Sequence, residues 1–169
     1  MNIDVALIEK VVKKVLNDVE TSCPADDYSY GIFETMDDAI EASFKAQKEY
    51  MHYSLADRQK FVEGIREVVC DKANLDYMSQ LAVEESGMGE VEFKKQKNVL
   101  AAMKSPGVED LVTEALSGDD GLTLIEYCPF GVIGAIAPTT NPTETVICNS
   151  IAMLAGGNTV VFSPHPRSK

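Results

Sequence analysis

Asn141 is the residue whose type and position most clearly suggest chemistry. It follows an apolar run, residues 132–137, and precedes Pro142 and Glu144, a pattern typical of the start of a helix. An amide beside the free N–H groups at the positive end of a helix is suited to stabilising a developing oxyanion. The same pattern also fits a structural role, in which the Asn141 side chain caps the helix. A side chain that fully caps a helix cannot also serve a ligand, so the two hypotheses compete.

The cysteines and histidines form no recognisable metal or catalytic motif. The four cysteines are 47, 58 and 20 residues apart and include no CxxC pair: Cys23, Cys70, Cys128 and Cys148. This is not a zinc pattern, and we expect no metal and free, reduced thiols. Cys148 falls inside a predicted helix, where a buried structural thiol is the favoured role. The sequence also lacks the GxGxxG and GxxxxGK[ST] phosphate-binding motifs.

Two apolar segments predict neighbouring strands of a parallel sheet. Residues 132–137 and 159–162 are nearly all apolar, as expected of strands that are buried on both faces. A predicted helix ending near Ala155, before Gly156 and Gly157, separates them, so the order is that of a βαβ unit. Ligands of parallel sheets bind beyond the carboxyl ends of the strands. Residues 137–141 and 163–166 are therefore expected to face the same crevice.

The chain before this unit is predicted to be mainly helical over residues 35–116. Ser54 and Asp57 have the spacing of a capping box, and Gly87 is well placed to end a helix that covers residues 75–85. The character changes at Gly121, because residues 122–127 alternate weakly and predict a strand. The expected fold class is α/β, with a helical part that leads into the start of a parallel sheet.

The first 19 residues predict a separate amphipathic helix. On a helical wheel the apolar residues fall in one arc: Val5, Ile8, Val11, Val12, Val15, Leu16 and Val19. Residues 20–31 combine turn formers without any period and predict a linker. Two roles remain open for the helix: a core helix on a long loop, or a helix that docks into a partner's groove.

Composition and charge exclude several classes of partner. The 169 residues include 27 acidic and 15 basic side chains, a net charge of −12, which disfavours binding to nucleic acid or to anionic membranes. No apolar run is long enough for a membrane span. Asp, Glu and Lys occur within the first 14 residues, unlike in a secretory signal. We therefore expect no nucleic-acid partner, no membrane partner and a cytoplasmic location.

Residues 131–145 resemble a segment of the aldehyde dehydrogenase superfamily. The similarity is strongest to the coenzyme A-acylating aldehyde dehydrogenases of bacterial microcompartments, which act on acetaldehyde or propionaldehyde. Residues 33–40, 84–89, 94–98 and 155–166 agree as well, so the resemblance covers essentially the whole chain. Its most specific parts are Pro-Thr-Thr-Asn-Pro at 138–142 and Ser-Pro-His-Pro at 163–166, where ordinary aldehyde dehydrogenases have Pro-Trp-Asn and a lysine.

The resemblance implies a function and a set of site residues. It implies NAD-dependent oxidation of a short-chain aldehyde to its acyl-CoA through a cysteine thioester, with coenzyme A as co-substrate. Asn141 matches the amide that stabilises the oxyanion. The wall against which the nicotinamide half of NAD lies is matched by Ile136, Ala137, Pro138, Thr139 and Thr140. The region that holds the adenosine is matched by Ser163, Pro164, His165 and Pro166.

The resemblance also implies how the chain is organised. None of the four cysteines matches the nucleophile, so residues 32–169 are expected to be an incomplete N-terminal part of the NAD-binding domain, with a Rossmann-type sheet. Residues 1–19 resemble encapsulation peptides, which implies docking to a shell protein and a location inside a bacterial microcompartment. Residues 122–127 resemble the oligomerisation strand of a homo-oligomer. The alternative is a non-catalytic targeting or assembly module that docks to a microcompartment shell.

Overall fold

The computed structural model describes residues 31–168 of the chain. The helix predicted for residues 1–19 and nearly all of the linker predicted for residues 20–31 lie outside this range. The chain divides into two units, Met1–Met36 and Asp37–Lys169. All the elements given below belong to the second unit, apart from the first residue of the first helix.

Helices come first along the chain and strands follow, as the sequence predicts. The helices that open the described part are α1 (Met36–Tyr50), α2 (Leu55–Cys70), α3 (Lys72–Ser86) and α4 (Val91–Lys104). A short 3₁₀ turn at Val108–Asp110 leads to the strands β1 (Glu114–Gly118) and β2 (Gly121–Ile125). The last three elements are β3 (Val132–Ile136), α5 (Pro142–Ala155) and β4 (Thr159–Ser163).

Short-range sequence signals set the ends of the middle helices. The Ser54 side chain accepts a hydrogen bond from the backbone N–H of Asp57, and the Asp57 carboxylate accepts one from Ser54, so the predicted capping box at α2 is confirmed. Asp71 caps α3 by accepting two backbone hydrogen bonds. Gly87 follows α3 with a φ of +67°, the left-handed conformation expected at a helix end.

The hairpin of β1 and β2 corrects the prediction of helix up to residue 116. Pro106 and Gly107 follow the end of α4 and prevent its continuation. β1 then pairs antiparallel with β2 across a two-residue turn, with Gly118 opposite Gly121. Glu, Ala and Leu in β1 are good helix formers, but intrinsic propensity amounts to less than about 1 kcal/mol per residue, and the cross-strand hydrogen bonds of a tight hairpin outweigh it. The strand predicted for residues 122–127 is confirmed as β2.

The strands β3 and β4 pair in parallel, and α5 connects them, so the predicted βαβ unit is confirmed. Their register places Val132 opposite Thr159 and continues without interruption to the last pair of the ladder. The buried Asn158 fixes the beginning of this register, because its Oδ1 accepts hydrogen bonds from the backbone N–H groups of Phe130 and Gly131, at 2.6 and 2.9 Å.

Within residues 31–168, β3 and β4 are not buried on both faces, contrary to the expectation. Ala135 and Ala137 are buried, whereas Gly134 is exposed and Ile136 is 85% exposed. This alternation is that of a strand covered on one face only. Within the described residues, the sheet of β3 and β4 has two strands. A sheet this narrow gives another element little area to pack against on its second face.

The core lies where α2, α4 and α5 meet. Its buried members are small or branched apolar side chains from these three helices: Val62, Val69, Ala101, Ala102, Ile147, Ile151 and Ala155. The two alanines let α4 approach its neighbours closely. The start of α5, and with it Asn141, is therefore held against a packed scaffold of helices.

An ion-pair cluster on the surface joins α3 to α4. Lys72 and Lys95 contact the Asp76 carboxylate at 2.6 and 2.8 Å. Hydrogen bonds from these two ammonium groups lower the pKa of Asp76 to about 2, from its ordinary value near 4. In the part of the chain that the structure describes, none of the helices has the length and apolar character that a membrane span requires.

Candidate functional site

The carboxyl ends of β3 and β4 lie side by side. Ile136 and Ser163 are direct partners in the parallel register, and the backbone N–H of Ala137 donates to the Ser163 carbonyl at 3.0 Å. Beyond the strands, the hydroxyl groups of Thr139 and Ser168 are 3.0 Å apart and join the two loops. The structure therefore brings the two predicted segments, 136–140 and 163–166, together at one edge of the sheet.

This edge presents an open surface that is mainly apolar. Ile136 points a large aliphatic side chain outward, and Pro138, Thr140, Pro164 and Pro166 are exposed. Ser163 is half-buried, and its hydroxyl group makes no hydrogen bond within residues 31–168. An apolar surface of this kind suits a flat ring, and a hydroxyl group without a partner suits a sugar hydroxyl.

Asn141 occupies the N-cap position of α5 but does not cap the helix. Its backbone has φ −138° and ψ 63°, and its side chain makes no capping hydrogen bond. The side-chain Oδ1 instead accepts a hydrogen bond from Nζ of Lys97 at 3.3 Å. The amide Nδ2 donates to no group among the described residues. The side chain therefore does not cap α5 as the capping hypothesis predicts. The Nδ2 donor of Asn141 is left free, within the described residues, beside the N-terminus of the helix.

The buried Lys94 anchors the loop before α5. Only 3% of Lys94 is exposed, and its Nζ donates to the Thr140 carbonyl at 2.6 Å. The same ammonium group forms an ion pair with the buried carboxylate of Glu144, at 3.5 Å. Buried charges of this kind need a partner of opposite charge and further hydrogen bonds, and both are present.

Asn98 extends this network from α4 to α3 and α5. It is fully buried, its Nδ2 donates to the Ser79 hydroxyl at 3.2 Å, and its Oδ1 accepts from the Thr143 hydroxyl at 2.8 Å. Thr143 lies two residues after Asn141, so these bonds fix the first turn of α5. Sequence reasoning gave Lys94 and Asn98 no role. The available signal was the i, i+3, i+4 spacing of Lys94, Lys97 and Asn98, which places all three on one face of α4.

His165 lies at the rim of the crevice and shapes the turn after β4. Its Nδ1 accepts a hydrogen bond from the backbone N–H of Arg167 at 3.1 Å, and its carbonyl accepts one from the N–H of Ser168 at 2.8 Å. The imidazole is half-buried. One ring nitrogen therefore holds the loop that carries the predicted adenosine-binding residues.

The described cysteines do not lie beside Asn141. Cys70 ends α2, and the exposed Cys128 precedes β3, at the opposite end of that strand from the crevice. Cys148 is seven residues after Asn141, about 10 Å along the axis of α5. It packs against the core and accepts a hydrogen bond from the Ser105 hydroxyl at 2.9 Å, in agreement with its predicted structural role. Cys23 lies outside the described residues.

The parallel βαβ unit assigns the chain to the α/β class, in which ligands bind beyond the carboxyl ends of the strands. Residues 12–169 match the model of the aldehyde dehydrogenase family. The chain belongs to this family, which confirms the family resemblance of residues 131–145. Within the family, it is similar to members that transfer the acyl group to coenzyme A, as the following relatives and structures indicate.

Two curated relatives are acylating enzymes of this kind. The chain is 43% identical over 165 residues to the propanal dehydrogenase (CoA-propanoylating) of Citrobacter freundii, a match that covers 96% of this chain and 35% of the relative. It is 45% identical over 164 residues to the acetylating acetaldehyde dehydrogenase EutE of Salmonella typhimurium, with 96% and 34% covered. The chain thus spans about a third of the length of these relatives.

Solved structures of propionaldehyde dehydrogenases are similar to this chain in fold as well. A propionaldehyde dehydrogenase of Rhodopseudomonas palustris, with bound CoA and an acylated cysteine, has a TM-score of 0.79 and 63% identity over 82% of this chain and 31% of its own. A propionaldehyde dehydrogenase from the fucose utilisation bacterial microcompartment of Clostridium phytofermentans has a TM-score of 0.77 and 52% identity, with 82% and 31% covered. The expected aldehyde dehydrogenase-like fold class is therefore confirmed.

Proposed function

We propose that the chain is the N-terminal part of a CoA-acylating aldehyde dehydrogenase. The complete polypeptide oxidises a short-chain aldehyde with NAD and passes the acyl group from a cysteine to coenzyme A. Aldehyde, coenzyme A thiol and NAD⁺ thereby give acyl-CoA, NADH and a proton. The observation that carries this proposal is the amide of Asn141, which stands at the carboxyl edge of β3 with Nδ2 free to donate.

Asn141 stabilises the charge that develops on the aldehyde oxygen. When a cysteine thiolate attacks the carbonyl carbon, the oxygen takes up the negative charge and accepts a hydrogen bond from Nδ2 of Asn141. The positive end of α5 lies beside this oxygen and adds to its stabilisation. We place the nucleophilic cysteine in the part of the polypeptide outside this chain, since none of the described cysteines is close to the crevice.

The residues at the sheet edge hold NAD, which supplies the hydride acceptor when it is bound. The nicotinamide half lies against residues 136–140, where the exposed Ile136 offers an apolar wall. The adenosine half lies against residues 163–166, where the hydroxyl group of Ser163 replaces the ribose-binding lysine of ordinary family members. An engineered glycolyl-CoA reductase with bound NADP⁺ is 63% identical to this chain, with a TM-score of 0.78, which supports binding of a pyridine nucleotide.

The proposed organisation of the complete protein uses the segment boundaries that the sequence predicts. We propose that residues 1–19 dock to a shell protein, residues 20–31 link them to the enzyme, and residues 32–169 begin the NAD-binding domain. The microcompartment origin of the Clostridium phytofermentans relative supports a location inside a bacterial microcompartment in the cytoplasm. Leu116, Leu122 and Leu124 of the hairpin are each at least 60% exposed, which supports a homo-oligomer contact.

An activity assay of the complete polypeptide tests the proposed function. With propionaldehyde or acetaldehyde, NADH should form only when coenzyme A is present, and mass spectrometry should detect the matching acyl-CoA. The 169-residue chain alone should give no turnover, because none of the cysteines within residues 31–168 lies beside Asn141. Comparable turnover by the short chain, or a free acid as the sole product, would contradict the proposal. An inactive complete protein that still binds shells would support the targeting module instead.

A further inference from the structure

The orientation of the Asn141 amide decides whether this residue can serve an oxyanion. An asparagine side chain has an acceptor oxygen at one end and a nitrogen donor at the other, and the two ends are nearly equal in shape. Only the nitrogen stabilises a negative oxygen, whereas the amide oxygen would repel it. Some neighbouring group must therefore favour one of the two orientations.

Lys97 is the group that makes this choice in the structure. Its Nζ is 3.3 Å from Oδ1 of Asn141. An ammonium group donates hydrogen bonds and cannot accept them, so the reversed amide would place two donors against each other. The same contact keeps Oδ1 away from the free N–H groups of α5, which would otherwise draw it into a cap.

Two buried anchors keep Lys97 within reach of Asn141. An exposed lysine in an isolated ion contact contributes little, because its long side chain samples many positions. Here Lys94 and Asn98, on the same face of α4, are bonded to the loop before α5 and to its first turn. The backbone of Lys97 is thus held at a fixed distance from the amide that it orients.

We propose that Lys97 is a positioning residue, which holds Oδ1 of Asn141 toward α4 and so directs Nδ2 into the crevice. This inference rests on the proposed function, because the direction of Nδ2 matters for an oxyanion. Lys97 itself does not touch the aldehyde or the cofactor. Its effect should therefore appear in kcat and depend entirely on the presence of the Asn141 amide.

The first test uses single variants of the complete enzyme. Lys97→Met should lower kcat about tenfold with little change in KM for aldehyde, since a misdirected donor affects the transition state more than binding. Lys97→Arg, which also can only donate, should keep most of the activity. Lys104→Met removes the same charge from the exposed end of the same helix and should leave kcat unchanged. An unaltered kcat in Lys97→Met would overturn the inference.

The second test is a double-mutant cycle with Asn141→Ala. Lys97→Met should cost less than about twofold in kcat when the amide is already absent, because the two residues act as one unit. An equal loss in both backgrounds would overturn the inference while leaving the proposed function intact. Absence of CoA-dependent NADH formation in the unmodified complete enzyme would instead refute the proposed function, and this inference with it. Unfolding midpoints of all variants separate these outcomes from misfolding.

Discussion

Asn141 occupies the N-cap position of α5, but its side chain does not cap the helix. A capping side chain stabilises a helix by about 1 kcal/mol, and here that contribution is absent because Oδ1 faces Lys97. The start of α5 relies on Pro142 at the first helical position and on the bonds that Thr143 and Glu144 make with α4. The loss of a stabilising contact at a helix end is expected of a residue that serves a ligand, because local rules are broken mainly at functional sites.

Replacement of Asn141 by alanine separates catalysis from stability. In the complete enzyme, Asn141→Ala should lower kcat by about 10²–10³, the usual effect of losing one oxyanion donor, and should weaken NAD binding much less. The unfolding free energy should change by less than about 0.5 kcal/mol, because no capping bond is lost. Steady-state kinetics, NAD titration and urea unfolding measure the three quantities.

Two outcomes decide between the hypotheses for Asn141. Asn141→Asp keeps the shape of the side chain but removes the donor, so it should be at least as inactive as the alanine variant. An unchanged kcat together with a loss of about 1 kcal/mol in stability would assign Asn141 to capping after all.

The sequence predicted part of this site, and the reason for the limit is physical. Asn141 and the residues at the strand ends follow from local patterns, since a parallel βαβ unit has a known ligand-binding edge. Lys94, Lys97 and Asn98 act across the packing of α4 against α5. Their partners are about 45 residues away in sequence, and local spacing does not specify which helices meet.

Secondary-structure elements show the same division between local and long-range causes. The ends of α2 and α3 were predictable, because the capping box at Ser54 and the glycine at position 87 act within a few residues. The strand β1 was not, because Glu114, Ala115 and Leu116 become a strand only by pairing with β2. Composition predicts burial of β3 on both faces, but within residues 31–168 only one face is covered, because composition alone does not tell which elements pack on a strand.

At Gly157 a local cause and a long-range cause act on the same residue. The glycine pair at 156 and 157 predicted the end of α5, and Gly157 has a φ of +82°, in the left-handed region. The fold adds a second requirement, since a Cβ atom at this position would lie 2.6 Å from Nη1 of Arg58. Arg58 belongs to α2, so Gly157 also leaves room for the guanidinium group that this helix places against the turn between α5 and β4.

Gly157→Ala should therefore destabilise the protein by at least about 1–2 kcal/mol, the cost of a left-handed backbone for a residue with a Cβ atom. Gly64→Ala is the matched control, because Gly64 lies within α2 and an added Cβ atom meets nothing within 4 Å. That change should stabilise the helix by about 0.5–1 kcal/mol. Urea unfolding of both variants of the complete protein tests the pair, and a stabilised Gly157→Ala would contradict the assigned geometry.

On the scale of the whole molecule, the described surface is unusually rich in uncovered apolar groups. Phe130 is 95% exposed and Ile136 is 85% exposed, and every residue of the hairpin is exposed. Apolar surface of this extent marks contacts with further protein or with ligands. The chain spans about a third of its curated relatives, so we propose that the remaining two-thirds of such an enzyme covers part of this surface.

The last prediction concerns residues 1–19 and the shell contact proposed for them. Their charges balance, with three acidic residues against three lysines, namely Asp4, Glu9 and Asp18 against Lys10, Lys13 and Lys14. Docking to a shell protein should therefore depend on the apolar arc and hardly on salt, because screening acts on charges and not on apolar contacts. A fusion of residues 1–22 to a fluorescent protein should accumulate in shells. Ile8→Glu combined with Val15→Glu should abolish this accumulation.

The control is Lys13→Ala, which changes the polar side of the predicted helix and should leave recruitment unaltered. Recruitment that survives the double glutamate change would show that the apolar arc is not the docking face. The core-helix alternative predicts a different result: a complete enzyme without residues 1–19 would unfold at clearly lower urea concentration, because removing a packed helix exposes apolar surface. The docking hypothesis predicts that the unfolding midpoint and kcat of this truncated enzyme stay unchanged, because a helix that binds a partner does not stabilise the fold of the enzyme itself. The truncated enzyme should then be found outside the shell.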